Sequence, residues 1–193
     1  MGIGFTVMSV LRKPKFKEEP KVAAREVWEK HEQNLAANGA IMRTAILGCL
    51  DFHDVNKVIA NTIEFCHVTH ADTRCVASCV AVTSAIAHIL QGKHTVNQQV
   101  DIQALLDDSF KISVAHLEEK HLAEFTKYYQ MTKVEQMELD EPKSIGYTLK
   151  CMSSALYGLR NAKVRDFKWI LNAIVKGGGD ADTVCVSFWL PLN

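Results

Sequence analysis

The segment 176–183, Lys-Gly-Gly-Gly-Asp-Ala-Asp-Thr, contains the residue types best suited to chemistry in this sequence. Consecutive glycines let the backbone turn sharply and approach a ligand closely. Asp180, Asp182 and Thr183 then offer two carboxylates and a hydroxyl, the hard oxygen ligands that magnesium selects. The alternative interpretation is a glycine that ends one helix, followed by an aspartate that caps the next.

Two further polar segments are candidates for ligand contacts. Asn38-Gly39 breaks a helical pattern, and the Asn38 amide offers both a donor and an acceptor to a sugar or base. Arg43, shortly after, is suited to pairing with a phosphate or a carboxylate. Thr69-His70 lies between two strong helical patterns, where free backbone N–H groups favour a diphosphate. The alternatives are an ordinary turn and a structural histidine, respectively.

A zinc site is a competing hypothesis for the same region. Cys66, His67, His70, Cys75 and Cys79 provide enough soft ligands for tetrahedral coordination. Their spacing matches no familiar zinc pattern, however, and Cys75 and Cys79 lie on an apolar stripe that faces the core. Buried cysteines acting as small hydrophobic residues are the better interpretation.

The elements that must position these residues are helices, because apolar residues recur at helical spacing along most of the chain. The spacing predicts a helix after Pro20, a helix from Val55 that Asp51 or Asp54 caps, and a central helix up to Leu90. Further helices are expected over 102–110, 114–128, 149–159 and 167–174, with 135–144 as an exposed charged connection. No alternating strand is evident before residue 183. The predicted fold class is all-α, in one domain.

Composition limits the function classes. The 193 residues contain 22 Lys plus Arg and 22 Asp plus Glu, so no overall charge attracts nucleic acid or an anionic membrane. Six cysteines that lie mostly within helical patterns, with no secretory segment before them, indicate reduced thiols in an intracellular, cytoplasmic protein. Met1-Gly2 with Thr6 fits a myristoylation pattern, but that pattern is short and common, and an apolar helical turn is the better interpretation. We therefore expect no nucleic-acid or membrane partner.

The order of the polar segments resembles the ADP-ribosylglycohydrolase family. The resemblance extends from about Gly2 to Thr183 and includes the helix around Trp28. It rests on four segments in one order: Asn-Gly-Ala-Ile-Met-Arg at 38–43, Thr-His at 69–70, Gly-Tyr-Thr at 146–148, and Gly-Gly-Asp-Ala-Asp-Thr at 178–183.

The resemblance implies an orthogonal helical bundle with two Mg²⁺ ions at the bottom of an ADP-ribose cleft. It implies hydrolysis of the bond between ADP-ribose and a modified protein side chain. The metal ligands carried over from the family are Asp180, Asp182 and Thr183, and the substrate-binding residues are Asn38, His70 and Tyr147. No catalytic residue is assigned.

The sequence also departs from the family pattern at both ends. The family's other metal ligands, in a Thr-Asp-Asp segment, are expected upstream of this chain; Asp107-Asp108-Ser109 is out of order and is interpreted as a helix surface. Residues 184–193 are expected to be a divergent tail, and 1–183 an incomplete domain. We therefore expect at most weak Mg²⁺ binding and little or no hydrolysis. The alternative is a non-catalytic helical module that binds ADP-ribose or a partner protein.

Overall fold

The fold is built from helices, as the sequence predicts. A computed structural model describes residues 3–183, and within that range the chain forms nine complete α-helices, a further helical stretch at 181–183 and one two-stranded hairpin. The α-helices are α1 Phe5–Leu11, α2 Pro20–Lys30, α3 Gly39–Thr44, α4 Val55–His67, α5 Thr73–Leu90, α6 Ile102–Val114, α7 Leu122–Tyr129, α8 Thr148–Asn161 and α9 Phe167–Lys176. Short 3₁₀ helices cover Pro14–Lys17, Ala45–Gly48, Glu119–His121 and Val134–Met137. The all-α prediction is confirmed.

Helix α5 is the centre of the core. Every residue from Arg74 to His88 is buried, and α3, α4, α6 and α8 all pack against this helix. Small residues such as Ala77 and Ala81 let these neighbours approach closely on several sides. The polar segments at both ends of α5 are therefore positioned by a buried, tightly packed helix.

Aspartate caps determine where four helices begin. Asp54, Asp72, Asp101 and Asp166 each accept a hydrogen bond from a backbone N–H in the first turn of α4, α5, α6 and α9. Such a cap is worth about 1 kcal/mol, since it satisfies an N–H group that has no partner inside the helix. Of the two candidate caps for α4, the structure selects Asp54.

The structure differs from the sequence-based predictions in three segments. The helix predicted for 114–128 begins only at Leu122, because the preceding turn docks on α5 through Glu118 N and Thr73 Oγ1 (3.4 Å). Strands β1 (Thr95–Val96) and β2 (Gln99–Val100) form a hairpin that was not predicted. The segment 135–144 is not simply exposed, since it is anchored by two buried apolar side chains, Met137 and Leu139.

Helices α1 and α2 form a small apolar cluster of their own. It contains Val10, Ala23, Ala24 and Val27. Trp28 Nε1 donates a 3.0 Å hydrogen bond to Asp72 at the start of α5, which connects this cluster to the central helix.

Within residues 3–183, α5 is the one helix that is long and apolar enough to cross a membrane, with a mean hydropathy of 1.5. Because 83% of it is buried inside the protein, it has the character of a core helix.

Candidate functional site

The structure brings two of the predicted site segments into direct contact. The side-chain Nδ2 of Asn38 donates a 2.7 Å hydrogen bond to Oδ2 of Asp180, although 142 residues separate them. The backbone N–H of Asn38 donates to the carbonyl of Gly146 at 2.8 Å, and Thr148 N donates to Ala36 O at 2.9 Å. The segments 36–38, 146–148 and 178–183 therefore meet at one corner.

His70 lies beneath this corner. It is 1% exposed, and the nearest atoms to a Cβ placed on Gly39 are Cε1 and Nε2 of His70, at 3.9 Å. Nδ1 is 2.8 Å from Thr69 Oγ1, whereas Nε2 has no hydrogen-bond partner among the described residues. Burial, assisted by the charge of Arg43, lowers the pKa of His70 to about 3. The imidazole is therefore neutral near pH 7 and keeps one nitrogen available for a polar ligand.

The glycine loop before Asp180 is closely packed. Gly178 and Gly179 have φ values of 79° and 74°, a region that side chains disfavour. A Cβ on Gly179 would lie 2.1 Å from the carbonyl oxygen of Leu139. The buried Lys150 amine donates to the Glu138 carbonyl and so fixes the segment against which the loop packs. The glycines thus fix the position of Asp180.

The two carboxylates of this loop interact with each other. A hydrogen bond with Asp180 lowers the pKa of Asp182, and the Thr183 backbone N–H acts in the same direction. The Asp182 side chain is exposed, whereas Asp180 is half-buried against Asn38. Thr183 is buried, with its hydroxyl 3.6 Å from Met42 Sδ.

These oxygens fit one hard cation better than two. Magnesium retains several waters and is commonly held by one or two carboxylates, which Asp180 and Asp182 can provide. Across residues 3–183 no group of three or more His, Cys, Asp or Glu side chains gathers to hold a metal ion. Asp180 and Asp182 are therefore the carboxylates that this corner would offer to a Mg²⁺ ion.

Tyr147 borders a cavity of about 470 Å³ next to the same corner. Its ring packs edge-on against Tyr128, with centroids 5.8 Å apart, and its hydroxyl is 3.4 Å from Arg74 NH1. Burial raises the pKa of the Tyr147 hydroxyl. Ala36 and Ala37 also line the cavity. Ala37 pairs with Tyr147 in an isolated antiparallel bridge, which places Tyr147 close to Asn38, the next residue in the chain.

Arg43 has a different role from the one its type suggested. Its NH2 donates to the carbonyls of Phe65 (2.8 Å) and Cys66 (2.9 Å), and its guanidinium carbon lies 5.1 Å from the Phe65 ring centroid. A cation at the end of α4 is favourable because the last carbonyls of a helix are unpaired and partially negative. Among the described residues, Arg43 therefore contacts backbone carbonyls and an aromatic ring rather than a carboxylate.

The zinc hypothesis receives no support from the described residues. Cys66 and Cys79 place their sulfurs 3.9 Å apart in the core, and the Cys75 thiol donates to Ala37 O at 3.5 Å. Burial raises the pKa of the Cys75 thiol well above its ordinary value, which disfavours the thiolate that zinc needs.

Arg74 is a site residue that sequence reasoning missed. It lies at the second position of α5, where the helix dipole disfavours a positive charge. An arginine in the first turn of a helix, two residues after an aspartate, could have indicated in the sequence that Arg74 has a specific partner.

Comparison with known proteins agrees with the resemblance in the sequence. Searches among curated proteins and among solved structures found no match. The ADP-ribosylglycohydrolase family model matches residues 1–187, which continues past Thr183 into the segment expected to diverge. A match over nearly the whole chain shows the family, and the helical fold agrees with it. The chain belongs to the ADP-ribosylglycohydrolase family.

Proposed function

We propose that the corner formed by Asn38, His70 and Asp180 binds ADP-ribose, free or attached to a protein side chain, and that these 193 residues hydrolyse the attachment slowly or not at all. The observation that carries the proposal is the 2.7 Å contact between Asn38 and Asp180. It joins two polar segments that lie 142 residues apart in the sequence.

The groups at this corner suit a ribose. The Asn38 amide can donate to or accept from a sugar hydroxyl, and the neutral His70 keeps Nε2 available. Tyr147 offers an aromatic wall at the adjoining cavity. Asp180 and Asp182 are the residues that would hold Mg²⁺.

Hydrolysis at the anomeric carbon develops positive charge on the sugar, which nearby carboxylates stabilise. Bound magnesium would orient ribose hydroxyls and activate water. Because two carboxylates suit one ion, a second ion would face uncompensated like-charge repulsion. We infer weak metal binding and slow chemistry.

Isothermal titration of ADP-ribose, with and without Mg²⁺, tests binding. We expect a dissociation constant that improves at least tenfold, about 1.4 kcal/mol, when Mg²⁺ is present. Asp182→Asn should abolish that improvement, because it removes one of two carboxylates.

Asp107→Asn is the matched control, since Asp107 is an exposed aspartate on α6. It should leave both the affinity and the metal effect unchanged. The absence of any ADP-ribose heat in the unmodified chain, at millimolar concentration with Mg²⁺, would contradict the proposal.

Hydrolysis is tested with peptides ADP-ribosylated on arginine or on serine. We expect turnover below about 0.01 s⁻¹, against a median near 10 s⁻¹ for enzymes. Turnover at ordinary rates would refute the expected inactivity. Binding without detectable turnover would select the non-catalytic ADP-ribose-binding module, which the two-carboxylate donor set favours.

A further inference from the structure

Arg74 contacts three segments of the candidate site at once. Its guanidinium donates to both carboxylate oxygens of Asp72 (2.9 and 2.7 Å), to Asn34 Oδ1 (3.0 Å) and to the Tyr147 hydroxyl (3.4 Å). The guanidinium carbon also lies 5.7 Å from the Tyr147 ring centroid. The side chain is only 8% exposed; its hydrogen bonds to Asp72 are buried, and those to Asn34 and Tyr147 are partly buried at the edge of the cavity.

Each partner belongs to a different part of the ligand corner. Asn34 begins the loop that leads to Asn38, Asp72 follows His70 at the start of α5, and Tyr147 borders the cavity. The planar guanidinium presents its donors in a fixed geometry, so one side chain links all three segments and adds to the backbone hydrogen bonds that join 36–38 to 146–148.

The positive charge of Arg74 is balanced by the carboxylate of Asp72. Asp72 is 1% exposed and is its direct ion-pair partner, and Asp72 also accepts hydrogen bonds from Trp28 Nε1 and from the backbone N–H of Arg74. A guanidinium paired bidentately with a buried carboxylate has little charge left to attract a phosphate. Its contribution to the cavity is therefore geometric.

We infer that Arg74 is a positioning residue, which holds Tyr147 and the Asn34–Asn38 loop in the arrangement that receives ADP-ribose. The inference rests on the proposed function, because it assigns the cavity beside Tyr147 to that ligand.

Arg74→Lys tests the inference, with Arg160→Lys as the matched control. Arg160 also lies over a tyrosine, 5.9 Å from the Tyr129 ring centroid, and also donates to the carbonyls of two residues, but far from the ligand corner. Lysine retains the charge opposite Asp72 but cannot reach several partners at once.

We expect Arg74→Lys to weaken ADP-ribose binding about tenfold, and Arg160→Lys to leave it within about twofold. The slope of log Kd against log salt should be the same in Arg74→Lys as in the unmodified chain, since no phosphate contact is lost. A reduced slope would instead indicate direct phosphate binding by Arg74 and would overturn the positioning role.

A readout without ligand separates this inference from the proposed function. In protein labelled with 3-fluorotyrosine, the fluorine resonance that Tyr147→Phe removes is assigned to Tyr147. That resonance should shift in Arg74→Lys and stay in place in Arg160→Lys. If the unmodified chain does not bind ADP-ribose, the proposed function fails, and the resonance alone decides whether Arg74 positions Tyr147.

Asn34→Ala keeps the inference testable if Arg74→Lys does not fold. Asn34 is exposed, so its loss should cost little stability, yet it removes one contact of the guanidinium. We expect a loss of ADP-ribose affinity of about threefold, or roughly 0.6 kcal/mol. Unchanged affinity in Asn34→Ala, or an unmoved Tyr147 resonance in Arg74→Lys, would overturn the inference.

Discussion

The two ends of α5 each carry a buried histidine with an unpaired ring nitrogen. His70 lies just before the first turn and His88 lies in the last turn, and each is 1% exposed. Nε2 of His70 and Nδ1 of His88 have no hydrogen-bond partner among the residues described. Burial is the largest cause that lowers both pKa values, to about 3 for His70 and about 4 for His88.

What differs is the surroundings of each histidine. Nε2 of His88 lies 3.4 Å from Lys93 Nζ, beside a partly exposed cluster in which Lys93 and His94 both contact Asp108, at 2.9 and 2.8 Å. His70 instead faces Gly39, beside the corner where segments from three distant parts of the sequence meet. An unpaired buried nitrogen is therefore weak evidence for a site by itself, and convergence of distant polar segments is the stronger sign.

The largest expected effect is on the free energy of unfolding, and it comes from removing the ion pairs at the two ends of α5. Asp72→Ala should lower the free energy of unfolding by about 3–5 kcal/mol, because it leaves the buried Arg74 cation without a counter-charge. Asp108→Ala should cost less than about 1 kcal/mol, because its partners are partly exposed. Urea denaturation of both variants measures the difference. Equal decreases in the free energy of unfolding would show that the ion pairs at the two ends of α5 contribute equally to stability.

The next largest effect is the pH dependence of the free energy of unfolding, which comes from His70 and His88. The folded pKa of each histidine is lower than the ordinary value of 6.5, so the unfolded chain gains protons first as the pH falls. Stability contributed by each neutral histidine is thus fully present above pH 6.5 and is lost as the pH falls toward about 3 for His70 and about 4 for His88, by up to about 1.4 kcal/mol per pH unit. His70→Gln and His88→Gln should each make this decline shallower in urea denaturation series.

Ligand affinity separates the two histidines. At pH 7.5, His70→Gln should weaken ADP-ribose binding about tenfold, whereas His88→Gln should leave it unchanged. If both variants weakened binding equally, the two ends of α5 would not differ in function.

The smallest effect is a gain in stability at the hairpin beyond His88. Asn97 and Gln98 both have positive φ, at 50° and 62°, which is the backbone of a turn that prefers Asn-Gly. Gln98→Gly should therefore raise the free energy of unfolding by roughly 0.5–1 kcal/mol. The melting temperature should rise while ADP-ribose affinity stays constant, and a loss of affinity would extend the ligand site to this end.

The helices could be predicted because their signals are local. The apolar spacing of α4, α5, α8 and α9 repeats every three or four residues, and the cap at Asp54 lies next to the helix it begins. The hairpin was missed because strands of two residues are too short to show alternation. The late start of α7 was missed because it depends on a contact with Thr73.

The geometry of the site could be predicted only in part. Residue types and their order nominated Asn38 and Asp180, but their contact depends on how the glycine loop packs against Leu139. Arg74 escaped notice because its partners Asn34 and Tyr147 are 40 and 73 residues away. No local pattern records interactions over such separations.

The separation of 142 residues between Asn38 and Asp180 has a kinetic consequence. Joining distant parts of a chain costs closure entropy, so such contacts form later than helices and neighbouring helix pairs. The α4–α5 pair can assemble from residues close in sequence. We therefore expect refolding protein to regain its circular dichroism signal before it regains the capacity to capture ADP-ribose.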